Sequence, residues 1–139
     1  MLSLDFVIIS AHQQPGENLE DRYCETMRKL VYFRGIKILA HPINRNLTKG
    51  VMTSWNDINW TRIFCEARDC NFSLEINGTP ERMDLDWSLV RKAKHIGCSF
   101  VLSSDAHSRP GLSNMEIAVL IARKGNLSPN DILNCKELT

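Results

Sequence analysis

The order of the residues predicts an α/β fold in which four parallel strands alternate with helices. Three observations predict it. Short apolar, β-branched runs alternate along the chain with stretches of helical period. Turn residues punctuate each change of period. Histidine, asparagine and aspartate gather just after the apolar runs, at the carboxyl ends of the strands, where open α/β sheets and barrels build their sites.

Asp5 to His12 is the first such run and reads as a buried strand. Gln13 to Asn18, with Pro15-Gly16, is a loop. A helix follows from Asn18, with Leu19, Tyr23, Met27, Leu30 and Val31 on one face and Gly35 as its stop. Ile36 to Ala40 is a second buried strand that ends in His41-Pro42. Asn44 to Val51 is a polar loop, and Ser54 can cap a helix carrying Ile58, Ile63, Phe64 and Ala67 on its apolar stripe. Phe72 to Asn77 alternates, with Phe72, Leu74 and Ile76 on one side and Ser73, Glu75 and Asn77 on the other, until Gly78-Thr79-Pro80 breaks it. Asp86 to His95 is a third helix stopped by Gly97, and Ser99 to Ser103 is the fourth strand. Ser113 to Glu116 has the form of a capping box opening a helix over Ile117 to Arg123, and Gly125 closes it. Ser128-Pro129 begins a last short helix by the same logic.

The chain has 139 residues, enough for one domain with a core of its own and too few for two ordinary ones. Hydrophobic residues make up 43% and charged residues 24%, a globular profile. Seventeen Lys and Arg against 16 Asp and Glu leave a net charge of +1, which excludes a dominant charge-driven attraction to nucleic acid or membrane. The five cysteines are odd in number and lack C-x-x-C spacing, so free thiols in a reducing cytosol are expected rather than disulfides or a zinc ribbon. No signal peptide or run of transmembrane length is present, so the expected location is cytoplasmic, with no membrane partner.

Ser103-Ser104-Asp105-Ala106-His107 carries the chemistry. If the strand continues, Asp105 and His107 project from one face, as metal ligands or as a general acid/base pair; a plain turn would use similar residues. His12 and His41 stand at the same end of their strands, and Glu75 and Asn77 lie on the polar side of the third. Two histidines, an aspartate and a glutamate at one mouth suit Zn²⁺, Mn²⁺ or Fe²⁺. Each also has a bland account: a core histidine, simple strand termination at His41-Pro42, or a buried Arg partner for Glu75. His95, among Arg91, Lys92 and Lys94 on a helix, reads as surface.

The succession I-S-A-H, L-A-H-P-I-N-R, L-E-I-N-G-T-P-E-R-M-D-L, S-S-D-A-H-S and A-R-K-G-N-L-S-P-N-D-I-L-N resembles the polymerase and histidinol phosphatase (PHP) family. It is most similar to the PHP domain attached to bacterial and archaeal family X DNA polymerases. The resemblance implies a distorted TIM-like (β/α)7 barrel, a cluster of divalent metals, and hydrolysis of phosphoesters, including 3′-5′ exonuclease action at a DNA 3′ end or on a nucleotide. By motif, His12, His41, Asp105 and His107 match metal ligands and catalytic positions. Arg45 matches an arginine that holds phosphate, Asn77 falls at a substrate-binding position, and Glu75 lies behind the ligands in the barrel interior.

The amino-terminal H-x-H pair and further ligands of that family have no counterpart, Gln13 replaces a small hydroxyl residue, and Ala40 replaces the glycine before His41. The expectation is a single domain over residues 1–139, equivalent to the carboxyl-terminal portion of a PHP barrel without its first strands. The alternative is a non-catalytic subunit with a vestigial site, completing its barrel with another polypeptide or as a homo-oligomer. A second rival is an amidohydrolase-like enzyme of C–N bonds, against which the E-I-N-G-T-P-E-R stretch argues.

Overall fold

In the computed structural model, which describes residues 4–12, 18–48 and 57–136, the chain alternates strand and helix four times. The elements are β1 (Phe6–Ile9), α1 (Leu19–Lys29), β2 (Ile36–Leu39), α2 (Trp60–Asp69), β3 (Ser73–Asn77), α3 (Trp87–Ile96), β4 (Ser99–Ser103) and α4 (Met115–Lys124). All three strand pairings are parallel, and the sheet order is β1-β2-β3-β4. The expected α/β class and strand order are therefore present, as is the partial TIM-like arrangement.

Local signals account for most boundaries. Asp86 caps α3 by accepting the Ser88 N–H at 2.8 Å, and Gly97 ends it at φ 98°, a left-handed conformation that costs glycine little. Asn59 caps α2 by accepting the Arg62 N–H. The proposed cap Ser54 lies outside the described residues, and Ile58 precedes the helix instead of joining its stripe. The Ser113 capping box does not form. The Ser113 hydroxyl donates to the Pro110 carbonyl because Pro110–Asn114 is a 3-10 turn leading into α4, so the chain is already helical where a cap would need extended backbone. At Ser128 the box does form: the Asp131 carboxylate accepts from both the Ser128 N–H and its hydroxyl.

Register fixes which side chains share a face. Val7, Ile9, Leu39, Leu74, Ile76, Phe100 and Leu102 face the helices, where Met27, Ile63, Phe64, Val90 and Ala118 complete one core. Each fully buried large side chain there contributes about 1.5–3 kcal/mol. The opposite face carries Phe6 and Ile8 of β1, Ile36 and Ile38 of β2, then Ser73, Glu75 and Asn77 of β3 beside Ser99, Val101 and Ser103 of β4. No described α-helix covers it, and only the 3-10 turn Leu133–Cys135 borders it beside β4. Phe6 and Ile8 are 56% and 53% exposed, which corrects the expectation that Asp5 to His12 is a buried strand; one side of β1 has no layer above it. With Val101, Leu133 and Lys136 these residues line a groove of about 330 Å³.

All five cysteines are free, and among the described residues no helix is long and apolar enough to cross a membrane.

Gly78 joins the end of β3 to α4: a Cβ there would stand 2.0 Å from the Asn114 carbonyl oxygen and 2.9 Å from the Ala118 nitrogen. Both obstacles are backbone and cannot swing away. Gly78→Ala should therefore lower unfolding free energy by about 3 kcal/mol, the upper part of the range for overpacking, as measured by urea denaturation. A change below about 0.5 kcal/mol, the ordinary surface range, would show that α4 is not seated on β3.

Candidate functional site at the carboxyl edge of the sheet

The carboxyl ends of the strands turn into loops with unusual backbone. His41, Asn44, Met83 and Asp105 all have positive φ, at 30°, 52°, 46° and 48°. Non-glycine residues pay for such conformations and keep them only where surrounding contacts impose them. Here the contacts are visible. The Asp84 carboxylate, wholly buried, accepts the Ile43 N–H at 3.1 Å and the Asn44 N–H at 2.8 Å. Arg45 answers in the other direction: its Nε donates to the Arg82 carbonyl at 2.5 Å and its Nη2 to the Met83 carbonyl. The loop after β2 and the loop after β3 are thus clasped by a carboxylate from one and a guanidinium from the other.

The clasp sets His41 in place. Its backbone N–H donates to Glu75 Oε2 at 2.6 Å, and its ring stands edge-on to that of His12, with centroids 5.3 Å apart. The His41 side is buried, and Nδ1 has no hydrogen-bond partner. Burial, and after it the Arg82 guanidinium, hold His41 below the ordinary imidazole range, with Asp105 pulling the other way. Burial thus favours the neutral form of His41, and a neutral imidazole can accept a proton or ligate. His12 is exposed, with Nε2 2.9 Å from the Ser10 hydroxyl. Burial raises the Glu75 carboxyl, against hydrogen bonds from the His41 N–H, Ser103 and Asn77 that favour its ionised form. Asn77 is fully buried; its Oδ1 accepts the Thr79 N–H at 2.9 Å, and its Nδ2 has no partner of normal geometry.

Asp105 lies beside this group, with its carboxylate 3.6 Å from Arg82 Nε. His107 does not share a strand face with it. β4 ends at Ser103 and the backbone turns at Asp105, so the alternation that would align the two side chains has already stopped. His107 is exposed, its Nδ1 2.8 Å from the Asp105 carbonyl oxygen. Of the residues singled out in the sequence, the structure brings together His12, His41, Glu75, Asn77 and Asp105. Arg45 is engaged in the clasp, and His107 sits on the outer turn.

Two participants were missed, Arg82 and Asp84. Both lie in the polar stretch Glu81-Arg82-Met83-Asp84 directly after a strand break, and that density of charge beside a buried strand end is the signal that could have found them. Among the described residues, no three His, Cys, Asp or Glu side chains converge closely enough to hold a metal ion. The orphaned His41 Nδ1 and its His12 neighbour supply two imidazoles, short of the three protein ligands that a catalytic zinc site uses.

Fold and site together define an α/β protein of parallel βα units whose carboxyl edge bears imidazoles, carboxylates and a guanidinium on one side of a half-covered sheet. The chain is 28% identical over 138 residues to the DNA polymerase/3'-5' exonuclease PolX of Bacillus subtilis (strain 168). That match takes in 99% of this chain and 24% of the relative, so the chain spans about a quarter of the length of the protein it matches. No family model matches the chain.

Burial lifts the Asp84 carboxyl to about 7, well above its ordinary 3.8, against the pull of the Ile43 and Asn44 N–H groups. A raised folded-state value means that the folded chain binds the proton more tightly than the unfolded one. The stability linked to Asp84 is thus present at low pH and is lost as pH rises from about 4 through 7. The difference in unfolding free energy between the native chain and Asp84→Asn should shrink over that interval and stay constant above it. A difference that is flat from pH 4 to 8 would show that Asp84 titrates as an ordinary carboxylate.

Proposed function

We propose that this chain is part of a PHP-type phosphoesterase domain of the kind associated with family X polymerases, and that it supplies one wall of the site. The observation that carries the reading is the pairing of the His12 and His41 rings at the carboxyl edge, with Asp105 within electrostatic reach of His41. The similarity to a polymerase whose name includes 3'-5' exonuclease activity supports a phosphoester as the substrate class, a DNA 3′ end or a nucleotide.

On this reading His12 and His41 donate imidazole nitrogens to a divalent ion, Zn²⁺, Mn²⁺ or Fe²⁺, whose other ligands come from a further segment or polypeptide. Such an ion supplies charge neutralisation and an activated water when bound. The chain's own residues favour the neutral form of His41, orient it through Glu75, and keep the edge loops clasped. The uncovered apolar surface of β1 and β2 gives a complementing polypeptide or a second copy somewhere to pack.

The purified chain should bind Mn²⁺ or Zn²⁺ weakly, as measured by equilibrium dialysis, and lose that binding in both His12→Ala and His41→Ala. It should show no turnover of an aryl phosphate or a single-stranded oligonucleotide above that of the metal in buffer. Metal binding unchanged in both variants would exclude the imidazole pair. Robust turnover abolished by both His41→Ala and Asp105→Ala would replace the incomplete-site reading with a self-sufficient enzyme.

A further inference from the structure

α4 differs from the other helices in what it shows to solvent. In α1, α2 and α3 every exposed residue is polar or charged, Asp21, Arg62 and Arg91 among them. Apart from Glu116, Arg123 and Lys124, every residue of α4 is apolar. Ala118, Ile121 and Ala122 use one side to seat the helix on β3 and β4. Met115, Val119 and Leu120 emerge on the other, Leu120 with 62% exposure. Leu112, in the 3-10 turn before the helix, extends the stripe at 63% exposure. A helix that is apolar on all sides is ordinarily covered on all sides, and this side has no cover among the described residues.

The order of charges along the stripe says what fits it. Seven residues apart, Glu116 and Arg123 lie within about 20° of each other around the helix axis, between the rows of Val119 and Leu120. Glu116 stands three residues before Val119 and Arg123 three after Leu120, so stripe and charges are symmetric about the Val119–Leu120 peptide bond. Both charges are exposed, and among the described residues neither has an ion-pair partner. A twofold axis through that midpoint lays a second α4 antiparallel on the first. Glu116 then faces the partner's Arg123, Arg123 faces the partner's Glu116, and the apolar side chains of both copies meet between them. A parallel pair would set Glu116 beside the partner's Glu116.

We infer that the exposed side of α4 is a self-association surface, and that its occupant is α4 of a second copy of this chain, laid antiparallel. The inference goes beyond the phosphoesterase reading and stands without it, since it uses neither the carboxyl edge nor the uncovered face of the sheet. One helix of 10 residues from each copy covers less area than a permanent interface needs. The pair is therefore a transient one, populated at roughly 100 µM protein and dispersed on dilution.

The test is sedimentation equilibrium of the full chain from about 10 µM to about 1 mM, with backbone amide NMR shifts followed over the same dilution. A monomer–dimer equilibrium is expected, with concentration-dependent shifts gathered on Leu112 to Lys124. This readout needs no variant and so does not depend on one folding. Leu120→Glu, at an exposed position, should abolish the dimer. Glu116→Arg and Arg123→Glu should each weaken it about tenfold, because each sets like charges face to face at both ends of the pair. Mixed in equal amounts, those two variants should pair with each other at least as tightly as the native chain does, since every facing pair is again of opposite sign. The inference is overturned by any of four results: a monomer throughout the series, shifts centred on β1 and β2 instead of α4, association unchanged in Leu120→Glu, or no recovery on mixing the two charge variants.

Discussion

The carboxyl edge depends on the reciprocal clasp between two loops. Asp84 is buried without a counter-charge in hydrogen-bond contact, and what holds it is the pair of N–H groups from Ile43 and Asn44. Those N–H groups belong to the turn that follows His41, so the conformation of His41 is tied to a residue 43 positions later in the chain. Arg45 closes the circuit on the carbonyls of Arg82 and Met83. Each loop therefore satisfies the polar backbone of the other. Without the carboxylate, the Ile43 and Asn44 N–H groups would lose their acceptor, at a cost comparable to a lost buried hydrogen bond for each. The positive φ of Met83 is sustained by this arrangement, while His41 and Asn44 are residue types that enter that region more readily.

The sheet beneath is asymmetric in chemistry as well as in covering. On the uncovered face the first two strands offer isoleucine and phenylalanine, while the last two offer serine, glutamate and asparagine around the single Val101. Ser73 and Ser99 satisfy each other at 2.8 Å, and Glu75 accepts the His41 backbone N–H, so most of the polar half is internally paired, Asn77 Nδ2 excepted. The apolar half has no such internal remedy, since only burial can satisfy it. Polar groups concentrate where loops close over them, and apolar groups where the surface stays open.

Much of the architecture was legible in the sequence because it rests on short-range rules. Strand and helix alternated as their hydrophobic periods indicated, β4 began and ended at the residues its pattern marked, and Asp86 with Gly97 bounded α3. Misreadings arose where long-range geometry took over. Ser113 had the composition of a capping box, yet the preceding 3-10 turn removed the extended backbone that a cap requires. Alternation was extended from Ser103 to His107, though the strand ended and Asp105 turned the chain. That the His12 and His41 rings stand side by side followed from counting strand ends. The turning of Arg45 onto the backbone of the neighbouring loop did not, because its direction is set by the clasp.

At the far side of the sheet, Asn134 lays its amide along β4, donating to the Leu102 carbonyl at 2.9 Å and accepting the Leu102 N–H at 3.0 Å. A single side chain thereby imitates a neighbouring strand and occupies part of that border. The β1 border has no comparable cover among the described residues. A strand approaching the β4 border would find the Leu102 N–H and carbonyl already engaged, and would have to displace the Asn134 amide to pair there.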